Sequence, residues 1–113
     1  MNEMEEDRLL VGRYLAGEEA AFEKLLRKHK DKVFGYIRMM VKDRQLSEDI
    51  FQDVFIKAVL TMKRGQYNEE GKFLPWIMRI AHNLVIDTFR KNKRFPTVDG
   101  GLEFEIFNVI KDE

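Results

Sequence analysis

The stretch FLPWIMRIAHNLVIDTFRKNKR, residues 73–94, decides the fold. Phe73, Trp76, Ile77, Ile80, Ala81, Leu84 and Thr88 recur at three- and four-residue spacing, the period of a helix that buries one face. A helix is expected over residues 73–93. Pro75 fits it because it falls in the first turn, where a missing N–H has no helical partner to lose. The opposite side carries Arg79, Asn83, Ile86 or Asp87, and Arg90, and the stretch ends in the cations Arg90, Lys91, Lys93 and Arg94. Such a face is either solvated, with cations complementing the helix C-terminal dipole, or built to hold an anion.

Working outward, the same period governs the rest of the chain. Residues 18–42 form the longest expected helix, with Phe22, Leu25, Leu26, His29, Val33, Tyr36, Ile37 and Met40 in one stripe. A shorter helix over residues 4–15 buries Leu9, Leu10, the Arg13 stem and Tyr14, and Gly17 separates the two. A third helix, residues 47–62, takes Ser47 as its N-cap, has Glu48 and Asp49 at its start, and buries Ile50, Phe51, Val54, Phe55, Ala58, Val59 and Met62. KRGQYNEEGK, residues 63–72, reads as a loop. No segment alternates long enough for a strand, so the fold class is all-α, a compact bundle of about four helices.

Length and composition set the limits. The chain has 113 residues, of which 44% are hydrophobic and 35% charged, enough for one core and against a disordered chain. It has no cysteine, hence no disulfide framework or thiolate metal site. No apolar run approaches the roughly 18 residues of a membrane span, and MNEMEEDRLL is acidic rather than signal-like. A cytoplasmic protein without membrane insertion is the expectation.

The net charge of +0 conceals segregation. Residues 24–42 carry seven bases (Lys24, Arg27, Lys28, Lys30, Lys32, Arg38 and Lys42) against Asp31, and residues 72–94 carry six against Asp87. Residues 43–56 and 99–113 are acidic. Local patches of this kind can steer a charged partner whatever the total.

No catalytic constellation emerges. His29 lies on an apolar stripe and reads as a satisfied core or boundary histidine, and neither it nor His82 has a carboxylate or histidine at i+3 or i+4. No phosphate loop, metal motif or nucleophile motif is present, so neither an enzyme, a cofactor nor a bound metal is expected. Glu48, Asp49, Gln52 and Asp53 share one face of the third helix, with the apolar Ile56 on its outer side. That face is either solvated or a dock for a basic partner helix. The loop supplies Lys63, Arg64, Gln66, Tyr67, Asn68 and Lys72, a mixture of cations, amides and an aromatic that suits unstacked bases. Together with Arg79, Asn83 and Arg90 it favours a nucleic-acid partner over a solvated face.

These motifs resemble region 2 of the extracytoplasmic-function (ECF) sigma factors of bacterial RNA polymerase. SEDIFQDVFIKA fills an acidic-D-x-x-Q-[ED]-x-F pattern with Asp49, Gln52, Asp53 and Phe55. The stretch from Phe73 fills F-x-x-W-[LI]-x-x-I-A-x-N-x-x-x-D-x-x-R with Trp76, Ile77, Ile80, Ala81, Asn83, Asp87 and Arg90, and GEEAAFEKLLRKHKDKVFGYI is similar to region 2.1. The resemblance covers residues 5–94; Asp53 departs from the glutamate of many members.

The resemblance implies a transcription initiation factor domain with two partners. Glu48, Asp49, Gln52, Asp53 and Ile56 would bind the β′ clamp helices of RNA polymerase core. Lys63, Arg64, Gln66, Tyr67, Asn68, Lys72, Arg79, Asn83, Asp87, Arg90, Lys91, Lys93 and Arg94 would hold promoter DNA, the −10 element as melted non-template strand with one base extruded. Trp76 would belong to the core. Residues 1–95 would be the region 2 domain and residues 96–113 an acidic linker, the helix-turn-helix region 4 of the family being absent from this chain as an excised domain or a truncated product. An anti-sigma factor is a further implied partner, and a monomer the implied state. The rival expectation is a helical protein-interaction module that binds such a partner without reading DNA.

Overall fold

A computed structural model describes residues 2–67 and 72–92. Among the described residues four helices follow in order: α1 (Glu3–Leu15), α2 (Glu19–Met40), α3 (Arg44–Lys63) and α4 (Phe73–Asn92). The all-α bundle expected from periodicity is the observed fold.

Each helix end has a local cause. Asn2 caps α1 by accepting from the Glu5 amide at 2.9 Å, and Glu3, Glu5 and Glu6 place negative charge in the first turn. Gly17 ends the helix at a φ of 110°, a backbone region that glycine enters at little cost, while the Glu18 amide reaches back to the Arg13 carbonyl at 3.0 Å. After α2 the chain is extended at Val41, and Asp43 caps α3 by accepting from the Leu46 amide at 3.0 Å. The Trp76 amide bonds the Lys72 carbonyl at 3.1 Å, so Pro75 occupies one of the positions whose N–H would lack a helical acceptor.

The start of α3 differs from the sequence expectation. Ser47 is not its N-cap; the helix begins one turn earlier, at Arg44, and Glu48 and Asp49 therefore lie beyond its first turn. Ser47 is fully buried, its Oγ 2.8 Å from the Asp43 carbonyl and 3.2 Å from the Val41 carbonyl. Asp43 and Ser47 are both good caps, and the extra turn wins because it carries Leu46 onto the core.

Paired residues give the helix directions. Tyr14 meets Phe22 (ring centroids 5.0 Å apart), while Phe34 meets Phe51 at 5.5 Å and Phe22 meets Phe55 at 6.1 Å. Neighbours in sequence are thus antiparallel. His29 lies 5.8 Å from Phe73 and the Tyr36 hydroxyl 2.7 Å from His82 Nδ1, so α2 and α4 run parallel. Helix α2 packs against all three others, which accounts for its long apolar stripe.

Two core expectations are corrected. In α1, Leu9 is 50% exposed and Arg13 is exposed, whereas Asp7, Val11 and Tyr14 face inward. Asp7 can face inward because its carboxylate finds partners on α2. In α4, Val85 and Ile86 are buried along with Phe73, Ile77, Ile80 and Ala81, so of the alternatives Ile86 and Asp87 only Asp87 faces outward. Leu84, Trp76 and Thr88 are half-buried. Fully burying a Val or Ile side chain stabilises by roughly 1.5–3 kcal/mol, and that burial decides the rotation of α4.

Both histidines are core residues with polar partners on other helices, Asp7 for His29 and Tyr36 for His82. Their partners lie 22 and 46 residues away, beyond the reach of a search at i+3 and i+4.

Candidate polymerase and nucleic-acid interfaces

Helix α3 presents the first candidate surface. Its buried residues Ile50, Val54, Phe55, Ala58 and Met62 leave Glu48, Asp49, Gln52, Asp53 and Ile56 exposed. Among the described residues, Glu48 and Asp49 make local contacts. Arg44 Nε lies 3.3 Å from Glu48 Oε1, and Gln45 Nε2 donates to Asp49 Oδ1 at 3.3 Å. Exposed i,i+4 contacts of this type are worth about 0.5 kcal/mol or less and yield readily to a competing cation.

Beside these acids runs an apolar groove of about 520 Å³, lined by Leu26 of α2 and by Phe51, Gln52, Phe55, Ile56, Val59 and Leu60 of α3. Ile56 is 51% exposed and Leu60 45%. Only half of this feature is legible along the chain: Ile56 stands out on the outer side, but the contribution of Leu26 depends on how α2 crosses α3. Leu60, four residues after Ile56, is the signal that was available.

Helix α4 presents the second surface. Arg79, Asn83, Asp87, Arg90 and Lys91 are exposed on its outer side, and Lys72 is exposed just before its first turn. Lys63, Arg64 and Gln66, at the end of α3 and after it, are exposed as well. Lys63 Nζ stands 3.7 Å from Glu19 Oε1. Nearby, burial pushes the Tyr14 hydroxyl pKa up, with Lys63 opposing and Glu19 adding to the shift, so the phenol remains protonated at neutral pH.

Tyr67 is placed differently from its loop neighbours. Its ring is half-buried, 4.5 Å from Trp76 and 6.4 Å from Phe73, which are themselves 5.9 Å apart. These three aromatics join the α3 side of the α3–α4 connection to the first turn of α4. Asn68, Lys93 and Arg94, and the linker expected over residues 96–113, lie outside the described residues.

The arrangement is two unlike surfaces on one helical hairpin: acids and an apolar groove along α3, cations and an amide along α4. Among the described residues no group of three or more His, Asp and Glu could hold a metal ion, and no helix is long and apolar enough to cross a membrane. The hairpin therefore presents two faces of unlike chemistry.

The comparisons with known proteins agree on one class. Residues 25–95 match the family model for Sigma-70 region 2, and the chain belongs to that family. It is a region 2 domain of the ECF kind, as its relatives indicate. It is 36% identical over 113 aligned residues to the RNA polymerase sigma-H factor of Pseudomonas aeruginosa, covering 96% of this chain and 58% of that protein. To the RNA polymerase sigma factor CarQ of Myxococcus xanthus it is 35% identical over 81 residues, 72% of this chain and 45% of that one. To the ECF RNA polymerase sigma factor SigW of Bacillus subtilis it is 36% identical over 77 residues, 68% and 40% of the two chains. The chain thus spans about half the length of these curated relatives. No solved structure matches it.

Proposed function

We propose that this domain acts in transcription initiation, binding RNA polymerase core through α3 and reading the promoter −10 element through α4 and the connection before it. Glu48, Asp49, Gln52, Asp53 and Ile56 would face the β′ clamp helices. Lys63, Arg64, Gln66, Tyr67, Asn68, Lys72, Arg79, Asn83, Asp87, Arg90, Lys91, Lys93 and Arg94 would hold the melted non-template strand. The protein would work in the bacterial cytoplasm as a monomer without catalytic activity.

One observation carries the DNA half of this reading. Arg79, Asn83 and Asp87 stand exposed along one line of α4, each one turn from the next, while Ile86 turns into the core. Asn83 has Arg79 one turn before it and Arg90 two turns after it, with Asp87 between, and an amide near such cations suits a base edge held between phosphates. A positively charged surface beside an extruded base can offset the few kcal/mol lost on unstacking. Binding of the chain to single-stranded oligonucleotides, with and without a −10 sequence and across a salt series, tests it. A sequence preference together with log K falling by about 0.7 per phosphate contact supports the reading. Equal binding to scrambled DNA with no salt dependence defeats it.

The groove along α3 favours a second reading alongside the first. Its exposed Ile56 and Leu60 would accept an apolar helix, such as one from an anti-sigma factor, without any DNA contact. A domain that binds such a helix but not single-stranded DNA would be an interaction module only.

A further inference from the structure

The basic and acidic faces leave one cluster unused. Asp7 of α1 is 5% exposed and His29 of α2 is 2% exposed, and His29 Nε2 lies 2.8 Å from Asp7 Oδ2. Lys28 Nζ donates to Asp7 Oδ1 at 2.9 Å and to the Glu3 carbonyl at 3.3 Å. A carboxylate is costly to bury, and an apolar side chain would glue α1 to α2 at least as well. What the carboxylate adds is direction: it holds adjacent α2 residues in one register.

His29 also faces α4. Its ring centroid lies 5.8 Å from that of Phe73, the first residue of α4, which is buried. Phe73 in turn contacts Tyr67 and Trp76, so the ring set spans the two described ends of the α3–α4 connection. A continuous path of packed groups therefore runs from Asp7 through His29 and Phe73 to Tyr67 and Trp76.

We infer that Asp7 and His29 are positioning residues for DNA reading: their buried hydrogen bond fixes the His29 ring against Phe73 and so sets both ends of the α3–α4 connection. Helix α1, which carries no residue of either candidate surface, thereby becomes part of the reading machinery. The inference rests on the reading of that connection as a DNA-binding segment.

The chain has a single tryptophan, Trp76, which stands within the cluster and reports its packing. The test compares D7N and H29F with V11A in the full chain. H29F keeps a ring beside Phe73 but removes the His29 bond to Asp7, leaving Lys28 as its partner, and V11A weakens the core packing of α1 without touching the carboxylate. Three quantities are measured where circular dichroism shows each variant folded: Trp76 emission and acrylamide quenching, affinity for single-stranded −10 against scrambled oligonucleotide, and affinity for β′ clamp helices.

D7N and H29F should change Trp76 emission and quenching and lower the −10 preference about fivefold. Clamp-helix affinity should stay as in the parent chain, and V11A should leave both the tryptophan signal and the preference unchanged. The inference is overturned if V11A matches D7N, if clamp-helix affinity falls equally, or if tryptophan and preference do not change together. If the parent chain shows no −10 preference, the DNA reading fails. In that case the tryptophan signal alone decides: a change in D7N and H29F but not V11A upholds the positioning, and no change overturns it.

Discussion

Ser47 Oγ lies 2.8 Å from the carbonyl of Asp43 and 3.2 Å from that of Val41, so one buried hydroxyl joins the end of α2 to the start of α3. The Val41 carbonyl belongs to a stretch leaving a helix, where acceptors lose their helical donors. Replacing the hydroxyl leaves that acceptor buried with one donor fewer. S47A should therefore destabilise the domain by about 1–2 kcal/mol, and S47G by more, because glycine adds conformational freedom within α3. An N-cap would behave the other way, with glycine costing only a few tenths of a kcal/mol. Urea denaturation of both variants checks the order.

The Tyr36 hydroxyl and His82 Nδ1, 2.7 Å apart, tie α2 to α4 inside the core. Y36F keeps the ring and removes this contact, so it should cost about 1 kcal/mol. In a domain of this size that lowers the Tm by roughly 4–8 °C, measurable by thermal circular dichroism.

Leu9 and Val11 are two residues apart and differ completely in burial, 50% against 0% exposed. L9A should change stability by no more than about 0.5 kcal/mol, as for an exposed position. V11A should cost about 1–2 kcal/mol through lost apolar burial and a cavity. Matched chemical denaturation of the two variants would show the reverse order if α1 were rotated to bury Leu9.

Charge reversal at the α3 surface, D49K with D53K, should weaken binding to a β′ clamp-helix fragment tenfold or more, on the order of 1.4 kcal/mol, by placing cations against a basic partner. Both residues are exposed, and Asp49 makes a 3.3 Å contact with Gln45 one turn away, so folding stability should stay within about 0.5 kcal/mol. Unchanged affinity in the double variant would remove α3 from the polymerase interface.

On α4, N83A should lower affinity for single-stranded −10 DNA more than for a scrambled strand. R90A should lower both alike and reduce the salt slope by about 0.7. Equal losses on both strands for N83A would move Asn83 from base readout to general positioning. Fluorescence anisotropy of labelled oligonucleotides separates the cases.

Much of the fold was legible in the residues. The stripe from Phe22 to Met40 placed α2, and Phe73, Ile77, Ile80 and Ala81 placed α4, because burying one face of a helix imprints its period on the sequence. The exposed line Arg79, Asn83, Asp87 and Arg90 followed from the same period. In helix α1 Leu10 and Tyr14 are on the core as their spacing implies, but Leu9 and Arg13 are not, and the inward Asp7 is a residue that hydropathy places outside. The start of α3 was misread because two residues four apart can each cap a helix, and local chemistry does not rank them.

What the sequence by itself determined is the helical bundle, most of the buried face of the three longer helices and the family, since each is recorded in spacing along the chain. What only the tertiary structure decided is which side chains from different helices meet. Asp7 with His29 and Tyr36 with His82 are joined, and Leu26 and Ile56 are brought to one groove, by the way helices pack. Such contacts depend on direction and distance between elements, and no periodicity within a single helix carries that information.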